Sequence, residues 1–176
     1  MRFLTLNVFH GFPKFKNLSV RLGLIADEIN RTDPDVVMLQ EVPWRSGHDL
    51  AVDILSKSTG MNYVYIRSNG NVETLGFEEG SAILSRFPLR NPVFKAYQSR
   101  SSIFVNRTAL AVTGETHQGD IHFVTTHLSY NTEALNGAQV NEMENFIYSL
   151  ESAPVIIAGD FNARENYSHM RRLSRQ

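Results

Sequence analysis

The chain contains no cysteine. Disulfide bonds and thiolate zinc sites are therefore excluded. An excess of charge of one sign is also lacking. The formal net charge is −1, which encodes no general attraction to nucleic acid or to an anionic membrane, although a local basic patch is compatible with it. No apolar run approaches the length needed to cross a bilayer. In the opening stretch MRFLTLNVFHGF, Asn7 and His10 interrupt the apolar residues, unlike the core of a signal peptide. These absences lead to an expected cytoplasmic location. Internal repeats, low-complexity tracts and linkers are missing too. What remains is 176 residues, 42% apolar and 20% charged, the composition of one globular domain over residues 1–176 with a core of its own.

The most informative stretch is PVIIAGDFN, residues 154–162. Val155 to Ala158 form an apolar run too short for a helix, broken by Gly159, and read as a strand buried on both faces. Asp160 and Asn162 follow at once. Gly, Asp and Asn together are common in turns, but their oxygens are also hard ligands suited to magnesium, calcium or manganese. The same pattern recurs. RFLTLNV ends near Asn7, VVMLQ is followed by Glu41, and IHFVTT is followed by His127. If these strands lie side by side in one sheet and run the same way, Asn7, Glu41, His127, Asp160 and Asn162 collect along one rim, outside the carboxyl ends where such sheets bind ligands. A calcium loop of EF-hand type is excluded, because Phe161, Asn162, Ala163 and Arg164 lack its remaining oxygen ligand and glycine.

Between these strands, apolar spacing predicts helices over Leu18–Asn30, Gly47–Ser58 and Thr132–Leu150. The first joins two strands in a strand–helix–strand unit, which favours an α/β layer arrangement. Met61–Ile66 and Ser81–Arg86 read as strands. Arg67–Gly80 reads as a polar loop in which Glu73, Glu78 and Glu79 are mostly solvated. Val93–Tyr97 and Ile103–Thr113 read as an antiparallel pair, with Arg107 inside the second strand as a solvated residue, an ion-pair partner or a supporter of the site. His10 lies in the loop FHGFPKF, close enough in sequence to Asn7 to reach the rim, though a loop histidine without a role is the simpler reading. Trp44 is assigned to core packing. Residues 165–176 form a basic tail, a short helix or a frayed end.

In order along the chain, LNVFHG, LQEVPW, GSAILSRFPL, THLS and GDFN resemble the endonuclease/exonuclease/phosphatase superfamily. That group embraces deoxyribonucleases of the pancreatic type, abasic-site endonucleases, bacterial sphingomyelinases and inositol polyphosphate phosphatases. The resemblance implies a four-layer α/β sandwich of two mostly antiparallel sheets flanked by helices. It also implies hydrolysis of a phosphate ester, most readily a phosphodiester in nucleic acid or a lipid headgroup, with Mg2+ or Mn2+. Glu41, with Asn7 and Asp160 nearby, would hold the metal. Asp160 would orient or deprotonate the attacking water, Asn162 would bind phosphate or metal, and His127 would stabilise the transition state. Arg107 would support the site and its phosphate. His10 and Glu79 are further candidates, since an acidic residue near Glu79 recurs in the family. One departure stands out: the family's terminal Asp-His pair, which activates the water, has no counterpart, and His169 follows Ser168 rather than an aspartate. The expectation is a C-terminally incomplete sandwich that forms a homo-oligomer through its open side. The alternative to an enzyme is a weak or inactive homologue serving as a binding or assembly subunit.

Overall fold

A computed structural model describes residues 1–174. The elements follow the chain as β1 (Phe3–Asn7), α1 (Leu18–Thr32), β2 (Val36–Arg45), α2 (Ala51–Thr59), β3 (Asn62–Asn71), α3 (Val72–Leu75), β4 (Phe77–Ser85), β5 (Leu89–Ala96), β6 (Thr108–Thr116), β7 (Gly119–His127), α4 (Glu133–Tyr148), β8 (Val155–Asp160) and α5 (Ser168–Leu173). The strands make two four-stranded sheets, β1-β2-β4-β3 and β5-β6-β7-β8. Each sheet is mixed: β1 pairs parallel to β2 and β7 parallel to β8, while the remaining pairs are antiparallel. The parallel pairs are the ones whose connections contain α1 and α4, because strands running the same way need a crossover, usually helical.

The continuous apolar run VVML in β2 follows from burial on both faces. Val36 and Met38 point between the sheets, where they pack with Ile83 of β4 and with Leu110, Val112 and Phe123 of the second sheet. Val37 and Leu39 point the other way, onto Leu22, Ala26 and Ile29 of α1 and Leu55 of α2. On the far side, Val140 and Met143 of α4 cover Val124 and Leu128. The result is the expected helix–sheet–sheet–helix sandwich, and Trp44 packs at the edge of the helix-side core as expected. β1 and β8 are edge strands, one in each sheet. Among the described residues, no helix is long and apolar enough to cross a membrane.

Several expectations need correction. The four rim strands do not share one sheet; they come as two parallel pairs from two sheets. Residues 67–80 are not a polar loop. β3 runs on to Asn71, α3 makes one turn, and β4 begins at Phe77. Glu78 and Glu79 are accordingly 5% and 6% exposed rather than solvated, because β4 is paired on both sides. Burial is tolerated because each carboxylate has donors: Tyr65 Oη and the Val72 N–H for Glu78, and Asn69 Nδ2 for Glu79. β6 starts only at Thr108. Ile103 to Arg107 precede it in a loop with one isolated bridge, Ser102 to Val105, so Arg107 stands at the strand's entrance rather than inside it. The tail contains the short helix α5, and its last two positions, Arg175 and Gln176, lie outside the described residues.

Candidate active site

Parallel pairing brings the carboxyl ends of β1 and β2 together on one sheet and those of β7 and β8 together on the other. His127 is the register partner of Asp160. One side chain ties the two sheets together. Asn7 Nδ2 donates to Glu41 Oε1 at 3.1 Å and to Asp160 Oδ2 at 3.0 Å, so a single amide presents its two protons to carboxylates from different sheets. Asn7 Oδ1 accepts from the Phe9 N–H at 2.9 Å, which fixes the orientation of the amide. Beneath the rim, Gln40 Nε2 donates to Thr125 Oγ1 at 2.9 Å, a second polar link between the sheets.

Glu41 is presented by a break in the ladder. The register between β2 and β4 shifts between Leu39 and Val42, and Glu41 has φ of 54°. A non-glycine residue in the left-handed region costs energy and is retained where surrounding structure holds it. Pairing on both sides of the break does so here, and the Glu41 carboxylate also accepts from the His10 N–H at 3.3 Å. Asn162 has φ of 47°, a region asparagine enters more readily. Its N–H donates to Asp160 Oδ1 at 3.1 Å and its Nδ2 to the Leu128 carbonyl at 3.0 Å, which leaves Oδ1 as the acceptor end. Gly159 is required by close approach: a Cβ there would lie 2.1 Å from the Thr126 carbonyl oxygen.

His127 is buried, with Arg107 Nη1 2.8 Å from its Nδ1 and Asp160 Oδ2 3.6 Å from its Nε2. Arginine can only donate. Nδ1 is therefore the acceptor, and the proton of the neutral ring sits on Nε2, facing Asp160. Burial first, and the Arg107 charge second, lower the His127 pKa to about 4. Burial also lowers Arg107 from the usual guanidinium value, opposed by the carboxylates of Glu79, Glu41 and Asp160. Arg107 Nε is buried without a hydrogen-bond partner among the described residues. Burial raises Glu79 above the usual carboxylate range, opposed by Asn69 and Arg107.

Asn7, Glu41, His127, Asp160 and Asn162 meet at this rim, with Arg107 against His127. Glu41, Glu79, Arg107 and His10 line a cleft of about 470 Å³ whose walls include Phe104 and Tyr130. His10 Nδ1 accepts from the Phe12 N–H at 2.9 Å, and its Nε2 lies 3.6 Å from Glu41 Oε2. Sequence reasoning missed Asn69, which exchanges hydrogen bonds with the Asn106 backbone and supports Glu79. It also missed Gln40 and the aromatic walls. Only Gln40 carried a signal, as an amide ending a fully apolar run. His169 is buried against Asn136 Oδ1 at 2.8 Å from its Nε2, outside the cleft.

Among the described residues, no three His, Cys, Asp or Glu side chains group to hold a metal ion. The donor set nonetheless fits a hard cation that retains water: two carboxylates, Glu41 and Asp160, are drawn together by one amide. Magnesium is commonly held by one or two carboxylates, with water and phosphate filling the remaining positions.

The sequence matches the model of the Endonuclease/Exonuclease/phosphatase family over residues 4–176. No curated protein matches it. Among solved structures, a functionally unknown conserved protein from Enterococcus faecalis V583 is similar with a TM-score of 0.80 at 19% identity, over 100% of this chain and 72% of that one. A family protein from Leptotrichia buccalis C-1013-b gives 0.73 at 21% identity, over 98% and 73%. The human Nocturnin catalytic domain with bound sulfate anion gives 0.75 at 25% identity, over 99% and 68%.

Proposed function

Because the chain belongs to the endonuclease/exonuclease/phosphatase family, whose members are phosphoesterases and generally depend on a divalent metal, we propose that its cleft hydrolyses a phosphodiester. Mg2+ or Mn2+ would be held by Glu41 and Asp160 with Asn7 beside them. The observation that carries this reading is the Asn7 amide joining Glu41 and Asp160 across the two sheets, next to the Arg107–His127 pair.

The metal, when bound, supplies positive charge that polarises the phosphoryl group. The chain's own groups do the rest. Asp160 is held by Asn7 at Oδ2 and by the Asn162 N–H at Oδ1, so its carboxylate is aimed and can accept a proton from the attacking water. The water oxygen bonds to phosphorus as the bond to the leaving oxygen breaks, and the departing oxygen takes its proton from solvent. His127 carries its proton on Nε2, on the Asp160 side but 3.6 Å from that carboxylate, so it can donate to a non-bridging phosphate oxygen as charge grows there without needing to titrate. Arg107 keeps that histidine in place and adds a fixed cation to the cleft. The Oδ1 of Asn162 is free to accept from the water or to meet the metal.

The test is hydrolysis of an aryl phosphodiester by the purified chain, with and without Mg2+ or Mn2+, with Asp160→Ala as control. Metal-dependent turnover that disappears in the variant is the expected result. Metal binding without turnover would overturn the catalytic reading in favour of a binding or assembly subunit.

A further inference from the structure

Large apolar side chains that the cleft does not use are gathered around its mouth. One lip is the loop after β1, where Phe9 is 63% exposed and Phe12 is also exposed. Phe12 stacks on Phe77, which lines the cleft, with ring centroids 4.8 Å apart. The facing lip is the loop before β6, where Ile103 is 80% and Phe104 82% exposed. Tyr130, 73% exposed, lines the same cleft. Phe104 and Tyr130 line the cleft and could contact a substrate inside it. Phe9, Phe12 and Ile103 do not line it, so no ligand lodged within covers them. Exposed apolar side chains grouped around a polar site mark a surface that is covered in use.

The charge of the lips says what covers them. Residues 9–17 carry Lys14 and Lys16 and no acidic residue, and residues 98–107 carry Arg100 and Arg107 and no acidic residue. Lys14, Lys16 and Arg100 are exposed and join none of the ion pairs among the described residues. Aliphatic and aromatic tips with flanking basic residues suit the headgroup region of an anionic lipid layer, where rings sit at the interface and cations meet lipid phosphates. A nucleic-acid strand would use the rings and the basic residues but would gain little from an isoleucine pointing outward.

We propose that the two lips seat the mouth of the cleft on a lipid surface, so that the phosphate ester it takes is a headgroup presented at that surface. This deepens the phosphodiesterase reading and rests on it for the chemistry, though not for the docking. Binding is measured with the full chain by co-sedimentation in chelator, with vesicles of phosphatidylcholine alone and of phosphatidylcholine mixed with phosphatidylglycerol. The chain is expected to bind both, and the mixed vesicles more tightly. Phe9→Asn, which keeps a residue tolerant of the local backbone, and Ile103→Ser should each weaken binding about tenfold, the factor that ~1.4 kcal/mol of lost apolar burial produces. Lys14→Glu with Lys16→Glu should remove the preference for the anionic vesicles. Both apolar variants should still hydrolyse the water-soluble aryl diester. No binding to either vesicle, or binding unaffected by Phe9→Asn with Ile103→Ser, would overturn the proposal. So would loss of oligonucleotide binding in that variant while vesicle binding is unchanged. Diester hydrolysis without vesicle binding would sink the docking alone, and vesicle binding without hydrolysis would sink the catalytic reading alone.

Discussion

Arg107 Nη1 lies 2.8 Å from His127 Nδ1, so a fixed cation faces the acceptor nitrogen of a buried imidazole. The contact does two things. It selects the tautomer with the proton on Nε2, and it opposes protonation of the ring, on top of the larger effect of burial. Replacing Arg107 with Gln should raise the His127 pKa above about 4 but leave it below the ordinary value, since burial remains. Loss of the cation from the cleft should also lower kcat about a hundredfold. Imidazole NMR titration reads the first effect and diester kinetics the second. An unchanged His127 pKa would show that the guanidinium does not act on the ring.

The same shift links stability to pH. The His127 pKa is about 4 folded and about 6.5 unfolded. Below the unfolded value the unfolded chain binds a proton that the folded chain refuses. This contribution to stability is therefore complete above about pH 6.5 and is lost as pH falls toward 4. Its full size is ~3 kcal/mol. Denaturant unfolding at neutral pH and at about pH 4.5 should show the loss, and His127→Asn should flatten it. An equally steep pH dependence in the variant would assign the effect to other groups.

Glu41 has φ of 54° at a break in the β2–β4 ladder. Of two variants that both remove the carboxylate, Glu41→Gly should be more stable than Glu41→Ala by ~1 kcal/mol, because only glycine enters that region without cost. Both should lose metal-dependent hydrolysis. Equal stability of the two would mean that the backbone relaxes once the carboxylate is gone.

Gly159→Ala places a methyl group against the Thr126 carbonyl, 2.1 Å from its oxygen. A backbone atom of a paired strand cannot rotate away, so β8 must shift against β7. The expected cost is about 3 kcal/mol, with displacement of Asp160 and loss of activity beyond what stability accounts for. A variant with native stability and activity would show that the strand edge yields freely.

Much of the site could be read from the chain itself. The run VVML has no polar alternation, and its burial on both faces follows from composition; VIIA reads the same way, but it lies in the edge strand β8 and is only half-buried. The polar residues that end them, Asn7, Glu41, His127 and Asp160, stand out because they terminate such runs. The loop assigned to residues 67–80 failed for the converse reason. Two glutamates at the start of β4 look solvated in one dimension, and only pairing with both β2 and β3 draws them inward and supplies their donors. Likewise, nothing local places Ile103 to Arg107 outside a strand, since an exposed loop and a half-buried strand can share the same residues.

The order of apolar runs, the helices between them and the identity of the rim residues were determined by the sequence, since each depends on periodicity or on side-chain chemistry at one place in the chain. Only the tertiary structure decided that the rim spans two sheets, with the Asn7 amide between Glu41 and Asp160. It alone decided that Arg107, Glu79 and Asn69 line the same cleft, and that the exposed side chains of two distant loops share its mouth. Those are relations between residues far apart in the chain. They are set by strand register and sheet stacking, whose energy comes from burial summed over the whole sandwich rather than from any local preference.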